Sequence, residues 1–377
     1  MKIVFLQLFL WLLPLALAAQ TEFFGHYESE TDAANVSGRR YNYGYNKLRL
    51  DLLAYPSNTV TVGANLNIQR FNGQSRWNLF DFLPRHLWVP YYGDSAEFPI
   101  VLPDTLYLDN VFIKMRFARL DITAGKQQIS LGTGYAWNPL DIFNQKQLLD
   151  PTYEQTGVTA IRAEVPLADR LLMDFIVATR EDWESSPRLA RIKLGLGSFD
   201  LTASAGIFHW SQAPNTERKL IGGAAVGELL GVGLWTEGAW NELDDGEDFA
   251  EYLIGLDHTF DFQTYLLVEY FHNGSGVADK GSLQISDYLN YMGGLTHSLM
   301  QDYVFVVVNH PLADVLSLGL LGFANLNDHS CAVAPQLEWS AFENVNISLL
   351  ASRSMGAEDT EFGLQDWGLR LRLRAYF

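Results

Sequence analysis

The sequence predicts an all-β protein, a single closed antiparallel transmembrane β-barrel of about 18 strands (16–18), with short periplasmic turns and long extracellular loops. Three observations predict it. Apolar residues recur at every second position in repeated segments of about ten residues, the period of a strand and not of a helix. The links between these segments alternate between short and long. The last segment is an amphipathic strand that ends in phenylalanine.

At the N-terminus, Met1 and Lys2 precede an apolar run over 3–18 that is interrupted by Gln7 and bent by Pro14. This is the shape of a signal peptide, and Ala16-Leu17-Ala18 supplies the small residues that signal peptidase needs. The run is short for a membrane span. A signal peptide is therefore expected over 1–19, with cleavage near Ala19 or Gln20, and the barrel over 20–377.

The strands show their faces directly. In 59–71, Val60, Val62, Ala64, Leu66 and Ile68 alternate with Thr61, Gly63, Asn65, Asn67 and Gln69. In 46–55, Leu48, Leu50 and Leu52 alternate with Lys47, Arg49 and Asp51. Both segments are long enough to cross a bilayer at the usual tilt. Short links such as Gly197-Ser198 take turns with long ones over 72–105, 131–156 and 274–301. Starting the mature chain in the periplasm puts the short links on that side, an asymmetry that a soluble β-sandwich has no reason to show.

In the final segment Trp367, Leu369, Leu371, Leu373, Ala375 and Phe377 alternate with Gly368, Arg370, Arg372, Arg374 and Tyr376. An edge this apolar aggregates in water unless it pairs with the first strand and meets lipid. The segment resembles the C-terminal signature of outer-membrane barrel proteins. That resemblance implies Phe377 as an assembly signal and the barrel-assembly machinery as a partner, together with outer-membrane lipid and lipopolysaccharide.

Composition narrows the function. Aromatic content is 13% and no later stretch is apolar enough for a membrane helix, which excludes a helical membrane protein. A formal charge of −18 repels polyanions, so no nucleic-acid partner is expected. The single cysteine, Cys331, cannot form an intrachain disulfide. The eight histidines carry no zinc spacing, and the acidic stretch of Glu242, Asp244, Asp245, Glu247, Asp248 and Glu251 lacks that of a calcium loop. That stretch is expected to be a solvated external loop. An outer-membrane enzyme needs a nucleophile and base at the rim, but there is no Gly-x-Ser-x-Gly elbow, and parity places His258 and His272 on the lipid face. No catalytic residue, metal site or cofactor is expected.

The segment over 125–144 contains Gly125-Lys126-Gln127, Gly132-Thr133-Gly134 and Asn138-Pro139-Leu140-Asp141. It resembles a poorly characterised porin-like group related to alginate-export barrels, with Leu131 where that pattern has tryptophan. The resemblance to Gram-negative outer-membrane porins implies a passive channel for small hydrophilic solutes in the bacterial outer membrane, and a homo-trimer. It carries no active site.

Parity directs Lys47, Arg49, Asn65, Asn67, Gln69, Lys114, Arg116, Arg162, Glu164, Arg191, Lys193, Arg370, Arg372 and Arg374 into the lumen. A polar interior marks a wet lumen. Closure brings Arg370, Arg372 and Arg374 near Lys47 and Arg49, a basic wall that favours anions, so the expected solutes are anions or saccharides. Pairing with Asp51, Glu164, Asp257 and Glu269 is the competing arrangement. Gly125 is the suspected site of a bulge, because plain alternation points Lys126 and Gln128 at lipid. The loop over 132–155 is the candidate constriction, with Tyr135, Trp137, Asn138 and Asp141 as its candidate residues. The loop over 72–105, with Trp77, Phe80, Phe82, Trp88, Tyr91 and Tyr92, is the alternative.

Overall fold

The computed structural model describes residues 20–146, 155–209 and 216–377. The expected signal peptide over 1–19 and part of the expected constriction loop, 147–154, lie outside them. Eighteen antiparallel strands form one sheet in which each strand pairs with its chain neighbours and the last pairs with the first. The first meander is β1 (Gln20–Val36), β2 (Arg39–Ser57) and β3 (Val60–Gly73). Then come β4 (Thr105–Phe117), β5 (Leu120–Gln127), β6 (Val158–Ala168), β7 (Leu171–Ala178), β8 (Arg188–Leu196) and β9 (Phe199–His209). The circuit continues through β10 (Glu217–Leu229), β11 (Val232–Leu243), β12 (Phe249–Thr259), β13 (Tyr265–Asn273) and β14 (Asp302–Ala313). It ends with β15 (Leu316–Asn325), β16 (Ser330–Phe342), β17 (Val345–Met355) and β18 (Gln365–Tyr376).

The links obey the expected asymmetry. On the periplasmic side they are tight turns such as Asn58-Thr59, Ala118-Arg119 and Asp314-Val315. On the opposite side run the links 74–104, 128–157 and 274–301. The β1–β2 connection departs from this, being the tight turn Ser37-Gly38 on the long-loop side, with both residues at positive φ. That backbone matches strand twist in a two-residue hairpin and suits Gly38 better than Ser37.

Closure is a backbone event first. Gly25 N–H donates to the Phe377 carbonyl at 3.0 Å, and Phe377 N–H returns to the Gly25 carbonyl at 3.1 Å. Without this pair of strands the first and last edges would present unpaired amides to hydrocarbon. Outward residues of β18, Leu369, Leu371 and Leu373, stay exposed on the protein surface as the lipid-facing belt. His258 and His272 also point outward, His272 stacking on Tyr252 with ring centroids 4.8 Å apart.

The bulge suspected at Gly125 is absent, and among several register shifts the one nearest it lies on β3. Pairing between β4 and β5 runs through Gly125 with no shift, although Gly125 takes φ 119°. The register slips instead between Ala64 and Leu66 opposite β4, where the Asn65 amide oxygen accepts the N–H groups of Asp109 and Asn110. Lys126 Nζ then reaches back to the Leu108 carbonyl at 2.9 Å, and Gln128 lies beyond the strand end.

The interior is divided. From β11 to β17 the inward face carries Trp235, Leu253, Leu267, Phe271, Phe305 and Phe323. From β18 round to β8 it carries mainly charged and amide side chains. An apolar wall inside a barrel must be covered, and three links supply buried residues that fold inward to cover it, with Phe362 of the link 356–364 packed beside them. They are 74–104 through Leu83 and Trp88, 128–157 through Ala136 and Trp137, and 274–301 through Tyr288 and Met300. The first of these carries helix α1 (Arg85–Tyr92) and the third α2 (Ile285–Met292).

Leu371 sits in the middle of the lipid-facing row of β18. Replacing it with arginine is expected to cost about 2–4 kcal/mol of folding free energy in vesicles, read from a urea titration of heat-modifiable migration. A cost near zero would mean that this face does not meet hydrocarbon.

Candidate functional site

The basic wall expected from β18 and β2 is not a free field of positive charge. Register places Glu28, Glu30 and Asp32 of β1 directly opposite Arg374, Arg372 and Arg370. The guanidinium Nε atoms donate to those carboxylates at 2.6, 2.5 and 3.0 Å. Arg49 forks onto Asp51 at 2.8 and 2.9 Å, and Lys47 lies buried opposite Glu28. Further round, Arg162 and Arg191 both grip Asp174, while Lys114 meets Asp121 at 3.0 Å and Glu164 at 3.5 Å. Low-dielectric surroundings require this pairing, because an unpaired buried charge costs several kcal/mol.

The pairs are not symmetric toward the lumen. The Glu28 side chain is fully buried, whereas those of Arg370, Arg372 and Arg374 keep 22%, 16% and 21% of their surface. These guanidiniums line a cavity of about 460 Å³ together with Tyr135, Gln336 and Ser348. A second cavity of about 630 Å³ is lined by Arg191, Lys193 and Thr133. Arg116 and Lys193 are exposed.

Between these cavities stands the inward-folded loop. Two wall carboxylates hold it by its backbone. Glu269 of β13 accepts the N–H groups of Tyr135, Ala136 and Trp137 at 2.6, 2.8 and 3.3 Å, and the Trp235 indole N–H at 2.7 Å. Glu237 of β11 accepts from Thr133 N–H at 2.5 Å and Leu140 N–H at 2.6 Å. A carboxylate satisfied by several donors is a strong anchor. Asp141 fastens the loop internally, accepting from the N–H groups of Leu131, Phe143 and Asn144. Burial nevertheless pushes the Asp141 carboxyl above its ordinary pKa, the donors offsetting only part of that cost.

The candidate constriction residues have separate fates. Tyr135 reaches the cavity, stacking on Phe305 at 5.8 Å. Trp137 does not. It is 2% exposed and stacks on Phe271 at 5.0 Å, so its ring anchors the loop and offers no face to a solute. Asn138 and Asp141 are also buried. Asp257 and Glu269, expected to neutralise lumen cations, instead accept the Tyr265 hydroxyl and the loop backbone.

Two other loops are pinned by buried acids. Glu251, read from sequence as part of a solvated acidic loop, points inward and pairs with Arg218 at 3.0 Å and His297 at 2.7 Å. Burial opposes the His297 cation, but the Glu251 carboxylate outweighs it and raises its pKa. The rest of that stretch is solvated, with Glu242 paired to Lys219 at the rim. Glu361, in the link 356–364, accepts from the Tyr303 hydroxyl at 2.6 Å and the Asn325 amide at 2.8 Å. Burial pushes its pKa up to about 7, against those two hydrogen bonds and with a further push from Asp328.

Glu28, Glu30, Asp32 and Asp174 were absent from the sequence-based lumen set. Their signal was present in the alternation His26, Glu28, Glu30, Asp32, which has the same period as the arginines it faces. The register that joins the two runs exists only after closure.

Solved structures resemble this one along nearly its whole length. OccK11 (OpdR) of Pseudomonas aeruginosa is 12% identical, with a TM-score of 0.57 over 95% of this chain and 96% of that one. OpdQ of the same organism is 9% identical, with a TM-score of 0.60 over 95% and 99%. The fold is that of an outer-membrane porin. OccK2 (OpdF) of Pseudomonas aeruginosa, solved in complex with glucuronate, is 9% identical with a TM-score of 0.56 over 95% and 98%. No protein-family model matches the chain, and no curated protein matches it in sequence. This porin fold accords with the bacterial outer membrane expected from the sequence.

Replacing Glu269 by alanine strips a charged acceptor from three loop amides, each such bond contributing about 1.5–3 kcal/mol. The expected result is faster protease cleavage within 128–146 and a larger single-channel conductance. Unchanged values of both would show that the aromatic packing alone holds the loop.

A raised acid pKa means that the docked loop favours protonated Glu361, so its contribution is full below the ordinary value of 4.5 and is lost as pH rises through about 7. Hydrogen exchange over 356–364, corrected for intrinsic rates, is expected to be faster at pH 8 than at pH 5.5. The Glu361→Gln variant should show no such difference, and a difference surviving in it would assign the effect to another group.

Proposed function

We propose that this barrel is a passive outer-membrane channel for small hydrophilic solutes, with a preference for anions and anionic saccharides. One observation carries the reading: the guanidiniums of Arg370, Arg372 and Arg374 border the lumen cavity while the carboxylates that neutralise them are withdrawn behind. A passing carboxylate or phosphate meets forked donors first, and Tyr135 offers a ring beside them. The glucuronate in the OccK2 structure is a solute of this chemistry. Selection is by width and lumen charge, with no covalent chemistry. Cleavage of 1–19, recognition of Phe377 by the barrel-assembly machinery, contact with lipopolysaccharide, trimer formation and kinship to alginate-export barrels belong to the same proposal.

A second reading is a barrel with a closed lumen that binds partners through its loops. It is favoured by the apolar cluster that three links share inside the barrel.

Planar-bilayer recording of the refolded protein separates the two. Ohmic steps are expected, with a reversal potential under a salt gradient that reports anion preference. Substituting alanine for Arg370, Arg372 and Arg374 should weaken that preference. A folded protein that stays silent would favour the closed barrel, and cation preference in the unmodified chain would overturn the anion assignment.

A further inference from the structure

A second cationic site lies at the long-loop end of the barrel, lined by other residues than the lumen arginines. There the extracellular end of β2 meets the short hairpin formed by Arg76–Asn78 and Pro99–Val101. Between them is a crevice of about 440 Å³ lined by Arg39, Arg40, Arg76, Trp77 and Glu97, among others.

Its floor is built. Asp81 is buried and receives Arg39 Nη1 at 3.1 Å together with the Tyr41 hydroxyl. Asn78 accepts Phe98 N–H at 2.8 Å, tying the two strands of the hairpin to the same point. The Trp77 ring stacks on Phe82 at 5.5 Å and meets the edges of Tyr41 and Tyr43 at 5.6 and 4.8 Å. Its indole N–H donates to the Gln74 carbonyl at 2.9 Å.

The rest of the charge is available. Arg40 bonds the Asn42 amide at 3.2 Å but no carboxylate, and Arg76 is exposed with no ion pair among the described residues. Glu97 is the acid that lines the crevice, while Arg39 is already matched by Asp81. Two guanidiniums with no carboxylate partner among the described residues therefore flank a held indole, on a chain whose net charge is −18. Guanidinium recognises carboxylate and phosphate through paired donors, and an aromatic ring packs against the apolar face of a sugar.

We propose that this crevice binds an anionic saccharide, a sugar bearing a carboxylate or phosphate. Such a ligand has two sources at an outer-membrane rim: a free sugar acid in solution, or the phosphorylated sugars of lipopolysaccharide in the outer leaflet. The crevice is lined by none of Arg370, Arg372 and Arg374, so the sugar-acid branch does not rest on the channel reading, while the lipid branch gives residues to the lipopolysaccharide contact proposed above.

The test uses the full-length protein, folded in detergent and in phosphatidylcholine nanodiscs with or without lipopolysaccharide. Binding of glucuronate is measured by calorimetry, and retention of lipopolysaccharide by native mass spectrometry. At least one probe is expected to bind, more weakly as salt rises. The Arg40→Gln/Arg76→Gln variant should lose about tenfold or more in affinity, about 1.4 kcal/mol, with heat-modifiable migration unchanged. Arg76→Gln alone, at an exposed loop position, serves if the double variant fails to fold. Glucuronate binding that the Arg40→Gln/Arg76→Gln variant loses assigns the solute as the source, and a loss in that variant of lipopolysaccharide retention alone assigns the lipid. Binding of neither probe, or equal binding by wild type and variant, overturns the site. Silent bilayers with intact sugar binding would remove the channel reading only, and lost binding with intact conductance would remove this site only.

Discussion

Every backbone amide in a bilayer must find its partner within the protein, and for a sheet that means closure. The β1–β18 seam is therefore the contact on which the rest depends. Its backbone pairs, from Gly25–Phe377 outward, set the register that brings Glu28, Glu30 and Asp32 against Arg374, Arg372 and Arg370. A slip of one residue would turn the arginines to lipid and the leucines to the lumen. Arginine and leucine alternation in β18 makes that slip costly, so side-chain chemistry and backbone closure enforce the same register.

Given a closed barrel, the interior has two incompatible faces. The charged arc satisfies itself by cross-strand pairs and stays wet at the guanidinium edges. The apolar arc from β11 to β17 would expose phenylalanines and leucines to lumen water, and the long links fold inward to prevent it. Folding a loop into a lumen hides backbone amides, and the wall answers with Glu237 and Glu269. Those two acids thereby fix the loop's geometry. Trp137 supplies the packing and Glu269 the polar satisfaction at the same point, so the loop tip is located by both kinds of force.

The acidic chain consequently borders a lumen cavity with guanidiniums. Buried carboxylates outnumber what a glance at exposed surface reveals, because Glu28, Glu30, Asp174 and Glu251 each stand behind a base. Net charge and local field differ for that reason in the lumen, whereas beside Trp77 the cations Arg40 and Arg76 have no ion pair among the described residues.

Strand alternation, link asymmetry and the amphipathic C-terminal segment determined, from sequence alone, the barrel, its approximate strand number and which residues face inward in most strands. Period-two patterning is a local property, so it is legible in a single chain. The inward arginines were legible in part by the same logic, whereas the constriction loop was read from its glycine, proline and aromatic content. What each inward residue touches was decided only by the tertiary structure. Pairing of Arg372 with Glu30 joins positions at opposite ends of the chain, and burial of Trp137 needs a wall drawn from β13 to β15. The bulge opposite β4, the inward turn of Glu251 and the rim crevice likewise arise from register and loop docking, which depend on closure and leave no periodic trace in the sequence.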